Sequence, residues 1–415
     1  MVTNKELYPR VEKIEKQLPE LKKIVLAENL NQLLEKVSVR FYCARMKLDK
    51  PAFMLYTSAT GKTPVCGIVI SHQALLQQHL TARWVLDLKE DDIYWCTADP
   101  AWVTGIAYEM LAPWSLGVTQ VIFEGRFKPQ QWYSIIEKYR VSVLYTAPTA
   151  IRMLRAEEKL AKNYNLSFLR HIVSVGEPLD PSSISWTLKT FGIPTHDTWW
   201  QTETGAIMIA NFPSMAIKLG SMGKPVPGIK AAIVDNQGKK LSFNQEGNLA
   251  FRTGWPSMMT TVWKNKKRYR SYFKYGWYLS GDRAYQDKDG YFWFVGRADD
   301  IIKTAGERVG PFEVESALVS HPSVAEAAVI GKPDPIRGEI IKAFIALKPT
   351  QRGSKSLEDE LKTFVKRELA GHAYPREIEF VERLPKTKSG KIVRRLLKAK
   401  ELGLPTGDIS TLEEF

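Results

Sequence analysis

The chain of 415 residues carries 59 Lys and Arg against 45 Asp and Glu, a net charge of +14, and 44% of its residues are hydrophobic. That length fits two or three domains of about 150 residues, with enough apolar chain for real cores, so disorder is not the default. Cys43, Cys66 and Cys96 form no CxxC pair, the histidines form no HExxH pattern, and no apolar run nears a bilayer span of ~20 residues, which argues against zinc ribbons, disulfide scaffolds and membrane helices.

Residues 5–37 place Leu and Ile at helical spacing among Lys and Glu, which predicts helices broken at Pro19 and around Asn29. This Lys- and Glu-rich start has no secretory pattern, and a reducing, cytoplasmic setting is expected. Residues 92–210 alternate short apolar runs with longer amphipathic stretches. VSVLYTAP at 141–148 and HIVSVGEP at 171–178 each end in a proline loop. The pattern predicts βα units and a mainly parallel sheet, whose ligands bind at the carboxyl ends of the strands.

From about 215 to 297 the chain becomes rich in Gly, Asp-Gly and alternating aromatics, predicting hairpins and a small β-barrel-like subdomain. A third unit, α+β in character, follows over 301–415. Pro311 opens its first helix, and Ser356 is the expected cap of a second helix with Leu357, Leu361, Phe364, Val365 and Leu369 on one face. Residues 351–400 hold fourteen Lys and Arg against seven Asp and Glu. That excess fits a nucleic-acid surface, a polyphosphate-binding face or solvated helix faces.

Four segments carry candidate chemistry. YTSATGKTPVCG at 56–67 can cradle phosphate through backbone N–H groups or form a plain surface turn. It is not a Walker A loop, because that motif needs Gly where Tyr56 stands. HDTWWQTETG at 196–205 sets Trp199 and Trp200 on opposite faces of a strand, one for the core and one for a pocket wall, with Glu203 suited to Mg2+. YLSGDRAYQDKDGYFWFVGRADDIIKTAGE at 278–307 offers Asp282 for ribose hydroxyls and Arg297 for phosphate or ribose, or ordinary salt bridges. PKTKSGKIVRR at 385–395 is either a basic nucleic-acid patch or a glycine loop that brings Lys391 to a site.

Taken in order, WWQTETG at 199–205, SVGEP at 174–178, YLSGD at 278–282, GRADD at 296–300 and PKTKSGK at 385–391 resemble the superfamily of acyl- and aryl-CoA synthetases, luciferases and peptide-synthetase adenylation domains. CTADPAWVTG at 96–105, VLYTAPTAIRML at 143–154 and residues 307–347 are similar to its acetate-activating branch, the AMP-forming acetate–CoA ligases. The resemblance implies an α/β fold: an AMP-binding domain over 1–297, a hinge at 298–300 turning on Asp299, and a mobile lid over 301–415.

It also implies site roles. Thr57, Ser58, Thr60 and Gly61 would belong to a phosphate loop, and Gly176, Glu177 and Pro178 would line the adenine. Asp197, Thr198, Trp199, Trp200, Gln201 and Thr202 would contact the nucleotide, with Glu203 on Mg2+. Asp282 would hold the ribose, Arg297 and Arg308 the ribose and phosphates, and Lys391 the acyl carboxylate and α-phosphate. Val103, Thr104, Val175 and Trp200 would shape a pocket for acetate, with propionate tolerated; the loop at Val319, His321 and Val324 would hold a second cation.

The substrates so implied are acetate, ATP and CoA, with no nucleic-acid or membrane partner. Two departures stand against the pattern. The family loop runs TSGSTGxPKG, whereas here Val65-Cys66 replaces its lysine neighbourhood. Family members are also longer at the amino end, so the large domain is expected to be incomplete, and the alternative reading is a truncated, catalytically impaired nucleotide-binding remnant.

Overall fold

The computed structural model describes residues 1–57, 66–125, 127–369, 371, 373–386 and 392–406. The chain divides into two compact units, Met1–Lys47 and Leu48–Phe415. In the first, the strands Val2–Thr3 and Val25–Leu26 pair in parallel, and the helices are Tyr8–Glu15 and Leu30–Leu34. The first helix stops before Pro19 and the second begins after Asn29, as the breakers predict, but Leu18 and Leu21 lie outside both. None of residues 1–47 is buried, and helices without a packed face stay short.

The second unit is built on a seven-stranded sheet. Thr119–Gln120, Ile93–Cys96, Val143–Thr146, His171–Ser174 and Thr195–Trp199 run parallel in that spatial order, and Ile209–Ala210 and Lys224–Pro225 add antiparallel. Val143–Thr146 and His171–Ser174 are buried at every residue, as parallel strands covered on both faces must be. The helices Pro129–Lys138, Pro148–Ala156 and Pro181–Phe191 each carry Pro in the first turn, where its missing N–H costs nothing.

A five-stranded antiparallel sheet holds Ala231–Val234, Gly247–Phe251, Phe273–Lys274, Trp277–Gln286 and Phe292–Arg297. The Asp287–Gly290 turn closes its main hairpin, the Asp287 carboxylate accepting the N–H groups of Asp289 and Tyr291 at 3.0 and 2.9 Å. A separate three-stranded sheet pairs Thr261–Val262 with Cys66–Ser71, and Cys66–Ser71 with Pro51–Thr57. That pairing spans nearly two hundred positions, and no local pattern announces it.

The carboxyl-terminal part is the expected α+β unit. Val324–Asp334 and Gly338–Leu347 form a long antiparallel pair, joined by Ile302–Thr304, Glu307–Val309 and Glu377–Phe380. The helix Lys355–Glu368 starts two residues before the sequence expectation. Its cap is Ser354, whose Oγ accepts the Leu357 N–H at 3.1 Å, not Ser356. The extra residue Lys355 meets Glu358 at 3.0 Å and Asp359 at 3.6 Å, pairs that favour the longer first turn.

Candidate active site

Chain order reverses across the seven-stranded sheet between Ile93–Cys96 and Val143–Thr146: the first strand leads toward Thr119–Gln120, the second toward His171–Ser174. The carboxyl ends of two such strands bound the crevice where α/β sheets take ligands. Thr97 and Thr146 bridge its floor, hydroxyl to hydroxyl, at 2.7 Å. Val103 and Thr104 follow the first strand and run into a π-helix, Gly105–Leu111, a conformation that recurs at functional sites.

Tyr108 of that π-helix meets Trp200 edge to face at 5.1 Å and Tyr145 at 5.8 Å. A chain of hydrogen bonds fixes the Trp200 ring. Its Nε1 donates to the Tyr145 hydroxyl at 3.2 Å, that hydroxyl donates to Thr198 Oγ1 at 3.0 Å, and Thr198 donates to the Ser174 carbonyl at 2.6 Å. Val175 is buried in the same apolar cluster. Trp200 packs against that cluster. Tyr108 and Tyr145 are buried in the same cluster, and only the close of the VLYTAP strand pointed toward either. Asp197, also expected at the nucleotide, turns its carboxyl inward to the Ser174 hydroxyl at 2.6 Å, and burial pushes its pKa up to about 7.

Trp199 faces the other way, buried and stacked on Phe251 at 5.1 Å. Its Nε1 donates to Asp282 Oδ2 at 2.9 Å, and Arg297 Nη1 donates to Asp282 Oδ1 at 3.0 Å. Asp282 and Arg297 are direct partners in the hairpin register, so the pair is fixed by strand geometry. Gln201 clips the string to the same strand: its Nε2 donates to the Ser280 carbonyl at 3.0 Å and its Oε1 accepts from the Tyr278 hydroxyl at 2.9 Å. Thr202 is half-buried, and its hydroxyl has no hydrogen-bond partner among the described residues.

Gly176 turns at φ +89° with open space where a Cβ would stand, a conformation open to glycine and costly to other residues. The Glu177 carboxylate beyond it accepts from the Thr149 hydroxyl at 2.8 Å and from Arg152 Nη2 at 2.6 Å. Arg152 also stands 3.6 Å from Asp180. This buried network borders the carboxyl-terminal part, where Lys386 Nζ meets Glu326 at 2.7 Å and lies 4.0 Å from Met153 Sδ.

The description "AMP-binding enzyme" matches residues 1–263, and "AMP-binding enzyme C-terminal domain" matches 313–391. This chain belongs to the AMP-binding enzyme family. It is 60% identical over 368 residues to the acetyl-coenzyme A synthetase of Bacillus subtilis, covering 88% of this chain and 64% of that protein. It is 42% identical to the acetyl-coenzyme A synthetase of Methanothrix thermoacetophila, covering 98% of this chain and 66% of that one. The chain thus spans less than two thirds of the length of these relatives. Among solved structures, it resembles an anthranilate CoA ligase in complex with anthranoyl-AMP, with a TM-score of 0.90 at 33% identity, covering 96% of this chain and 77% of the other. A benzoate CoA ligase from Burkholderia xenovorans superposes with a TM-score of 0.84 at 28% identity, over 95% and 78% of the two chains.

The remaining expected residues of this AMP-binding enzyme are placed unevenly. Glu203 is half-buried and accepts the Tyr272 hydroxyl on Oε1 at 2.8 Å, leaving Oε2 without a hydrogen bond among the described residues. One carboxylate with a free oxygen fits Mg2+, which binds through one or two carboxylates plus substrate phosphates. Thr57 ends a strand opposite Cys66, so the ends of the presumed phosphate loop are paired, while Ser58, Thr60 and Gly61 lie outside the described residues. Lys391 lies outside them too, but its flanks are fixed: Lys386 bridges Ile392, and the Val393 N–H donates to the Pro385 carbonyl at 2.8 Å. Arg308 is exposed on its hairpin, and Asp299 is exposed 3.7 Å from Arg297. In the Val319–Val324 loop, the Val319 carbonyl accepts from Arg155 Nη2 at 3.2 Å and the His321 carbonyl from the Val324 N–H at 3.1 Å.

Proposed function

We propose that this chain is an AMP-forming ligase that joins acetate to CoA through an acetyl-adenylate. The observation that carries the reading is the buried Asp282 acceptor, held between Trp199 and Arg297, with Glu203 nearby in sequence on the string that also bears Trp200. A ribose and a metal-bound phosphate have their partners on one side of that string, and a small acyl group has its wall on the other. The 60% identity to the acetyl-coenzyme A synthetase of Bacillus subtilis supports the same reading.

The first step forms a bond between an acetate oxygen and the α-phosphorus of ATP and breaks the bond to the β-phosphate, releasing pyrophosphate. In the second, the CoA thiol loses its proton and its sulfur attacks the acetyl carbon; the bond to AMP breaks and AMP leaves with the electron pair. Both steps depend on positioning and charge neutralisation. Asp282 orients the ribose, Gly176–Pro178 hold the adenine, Arg297 faces ribose and phosphate, and Lys391 meets the acetate carboxylate and α-phosphate. Mg2+ bound at Glu203 would supply positive charge beside the phosphates. Trp200, held by Tyr108 and Tyr145, would wall the pocket against acids longer than acetate or propionate.

The carboxyl-terminal domain, 301–415, is the lid, turning about Asp299 so that Lys391 serves the first step and the hairpin of Arg308 the second. The exposure of Arg308, set against the anchoring of Lys386 beside Met153, supports the first-step orientation in this structure. No helix among the described residues is long and apolar enough to cross a membrane.

The test is acetyl-CoA formation by the 415-residue chain with ATP, Mg2+, acetate and CoA, alongside Lys391→Ala. Turnover with AMP release, abolished by the substitution, is expected. AMP binding without turnover, in a chain that unfolds cooperatively, would instead favour the nucleotide-binding remnant suggested by the altered 57–67 loop.

A further inference from the structure

Arg155 stands in the last turn of the helix Pro148–Ala156, with no role in the chemistry above. Its Nη2 donates to the Val319 carbonyl, 164 positions away in sequence, at 3.2 Å. Its Nη1 donates to Ser182 Oγ at 2.5 Å, and Ser182 donates in turn to Asp180 Oδ1 at 2.5 Å. A carboxylate and a hydroxyl thus fix one end of the guanidinium before the other end crosses to the carboxyl-terminal domain.

Val319 is the next-to-last residue of the helix Pro311–Ser320. Its carbonyl is one of the last four, which lack partners within the helix and sit at the negative end of the helix dipole. A planar guanidinium is well suited to cap them.

Val319 also belongs, with His321 and Val324, to the loop that the family resemblance gives to a metal cation. Here that set does not fit one. Val319 faces a guanidinium, the His321 carbonyl is taken by the Val324 N–H, and the His321 ring is flanked by the Ser323 N–H and Glu360, each at 3.3 Å. A metal ion on the Val319 carbonyl would enter beside the Arg155 guanidinium already in place there.

We propose that Arg155 is a positioning residue that seats the carboxyl-terminal domain in its present orientation, its guanidinium serving as the built-in cation of the Val319–Val324 loop. The kinetic part rests on the two-orientation reading above; the docking part does not.

The experiment is hydrogen exchange at the amides of 318–324 in the full chain, with potassium, with magnesium and with EDTA. The parent should show the same protection in all three. Arg155→Met should raise exchange there about tenfold, the equivalent of losing a partly buried helix-terminus charge. Amides of the strand Val143–Thr146 should not change, Arg155→Lys should restore part of the protection, and Ser182→Ala should raise exchange less than Arg155→Met.

In the kinetic arm, Arg155→Met should slow acetate-dependent ATP–pyrophosphate exchange about tenfold. It should spare acetyl transfer from preformed acetyl-adenylate to CoA, which needs the other orientation. Protection that rises with added potassium or magnesium in the parent would overturn the proposal. So would unchanged exchange in Arg155→Met, or an equal fall in both half-reactions. If Arg155→Met fails to fold, Arg155→Lys and Ser182→Ala decide: exchange at 318–324 equal to the parent in both overturns the proposal, and a rise in either supports it. A chain with no ligase turnover would refute the proposed function and leave the exchange result to judge this inference alone.

Discussion

Replacing Asp282 separates what its carboxylate does for the fold from what it does for the nucleotide. The side chain is 5% exposed and accepts from Trp199 Nε1 at 2.9 Å and Arg297 Nη1 at 3.0 Å. In Asp282→Ala the buried indole N–H loses its acceptor, at about 1–3 kcal/mol. Arg297 is 41% exposed, can turn to water, and adds less than about 1 kcal/mol. A total near 3 kcal/mol follows. Asp282→Asn keeps an acceptor for Trp199 and loses only the charge, so its cost should be about 1 kcal/mol.

Nucleotide affinity should respond in a different proportion. A hydrogen bond to a charged acceptor is worth about 1.5–3 kcal/mol, so even Asn should weaken AMP binding at least about tenfold. Urea unfolding gives the first quantity and calorimetric titration with AMP the second. An Asn variant that unfolds cooperatively and binds AMP as tightly as the parent would refute the assignment of Asp282 to the ribose.

Trp200→Gly removes the ring that Tyr108 and Tyr145 hold; acetate KM should rise and longer straight-chain acids should become substrates, and unchanged acid preference by pyrophosphate exchange would remove Trp200 from the pocket wall. Ser354→Ala should cost about 1 kcal/mol in denaturant unfolding, while Ser356→Ala should cost far less, because only Ser354 caps the helix. Burial, then the neighbouring His196, lower the His171 pKa to about 4, so the native state binds fewer protons than the unfolded chain between there and the ordinary value near 6.5. The stability present above that value should fall by about 3 kcal/mol as pH drops toward 4, and His171→Gln should flatten that limb of the unfolding curve. Burial, then the charge of Asp99, push the Glu109 carboxyl up to about 7, the opposite sign: stability present at low pH is lost as pH rises through 7, by about 3 kcal/mol, and Glu109→Gln should retain it.

Much of the site could be read from the sequence because it is local. Strand alternation puts Trp199 and Trp200 on opposite faces, and an Asp-Gly turn fixes the register that sets Asp282 against Arg297. Prolines and buried apolar runs similarly announced the parallel sheet and the helices that cover it. The capping rule pointed to Ser356, but Ser354 satisfies it equally and the pairs of Lys355 favour the earlier serine.

Tertiary structure alone decided which distant groups meet. Tyr108 reaches Trp200 from a π-helix that no periodicity revealed, Thr261–Val262 pairs with a strand from the start of the unit, and Arg155 crosses to Val319. Backbone preference and side-chain alternation act over a few residues and are written in the chain. Contacts between groups a hundred or more positions apart depend on how whole layers pack, and there the sequence names the residues without naming their partners.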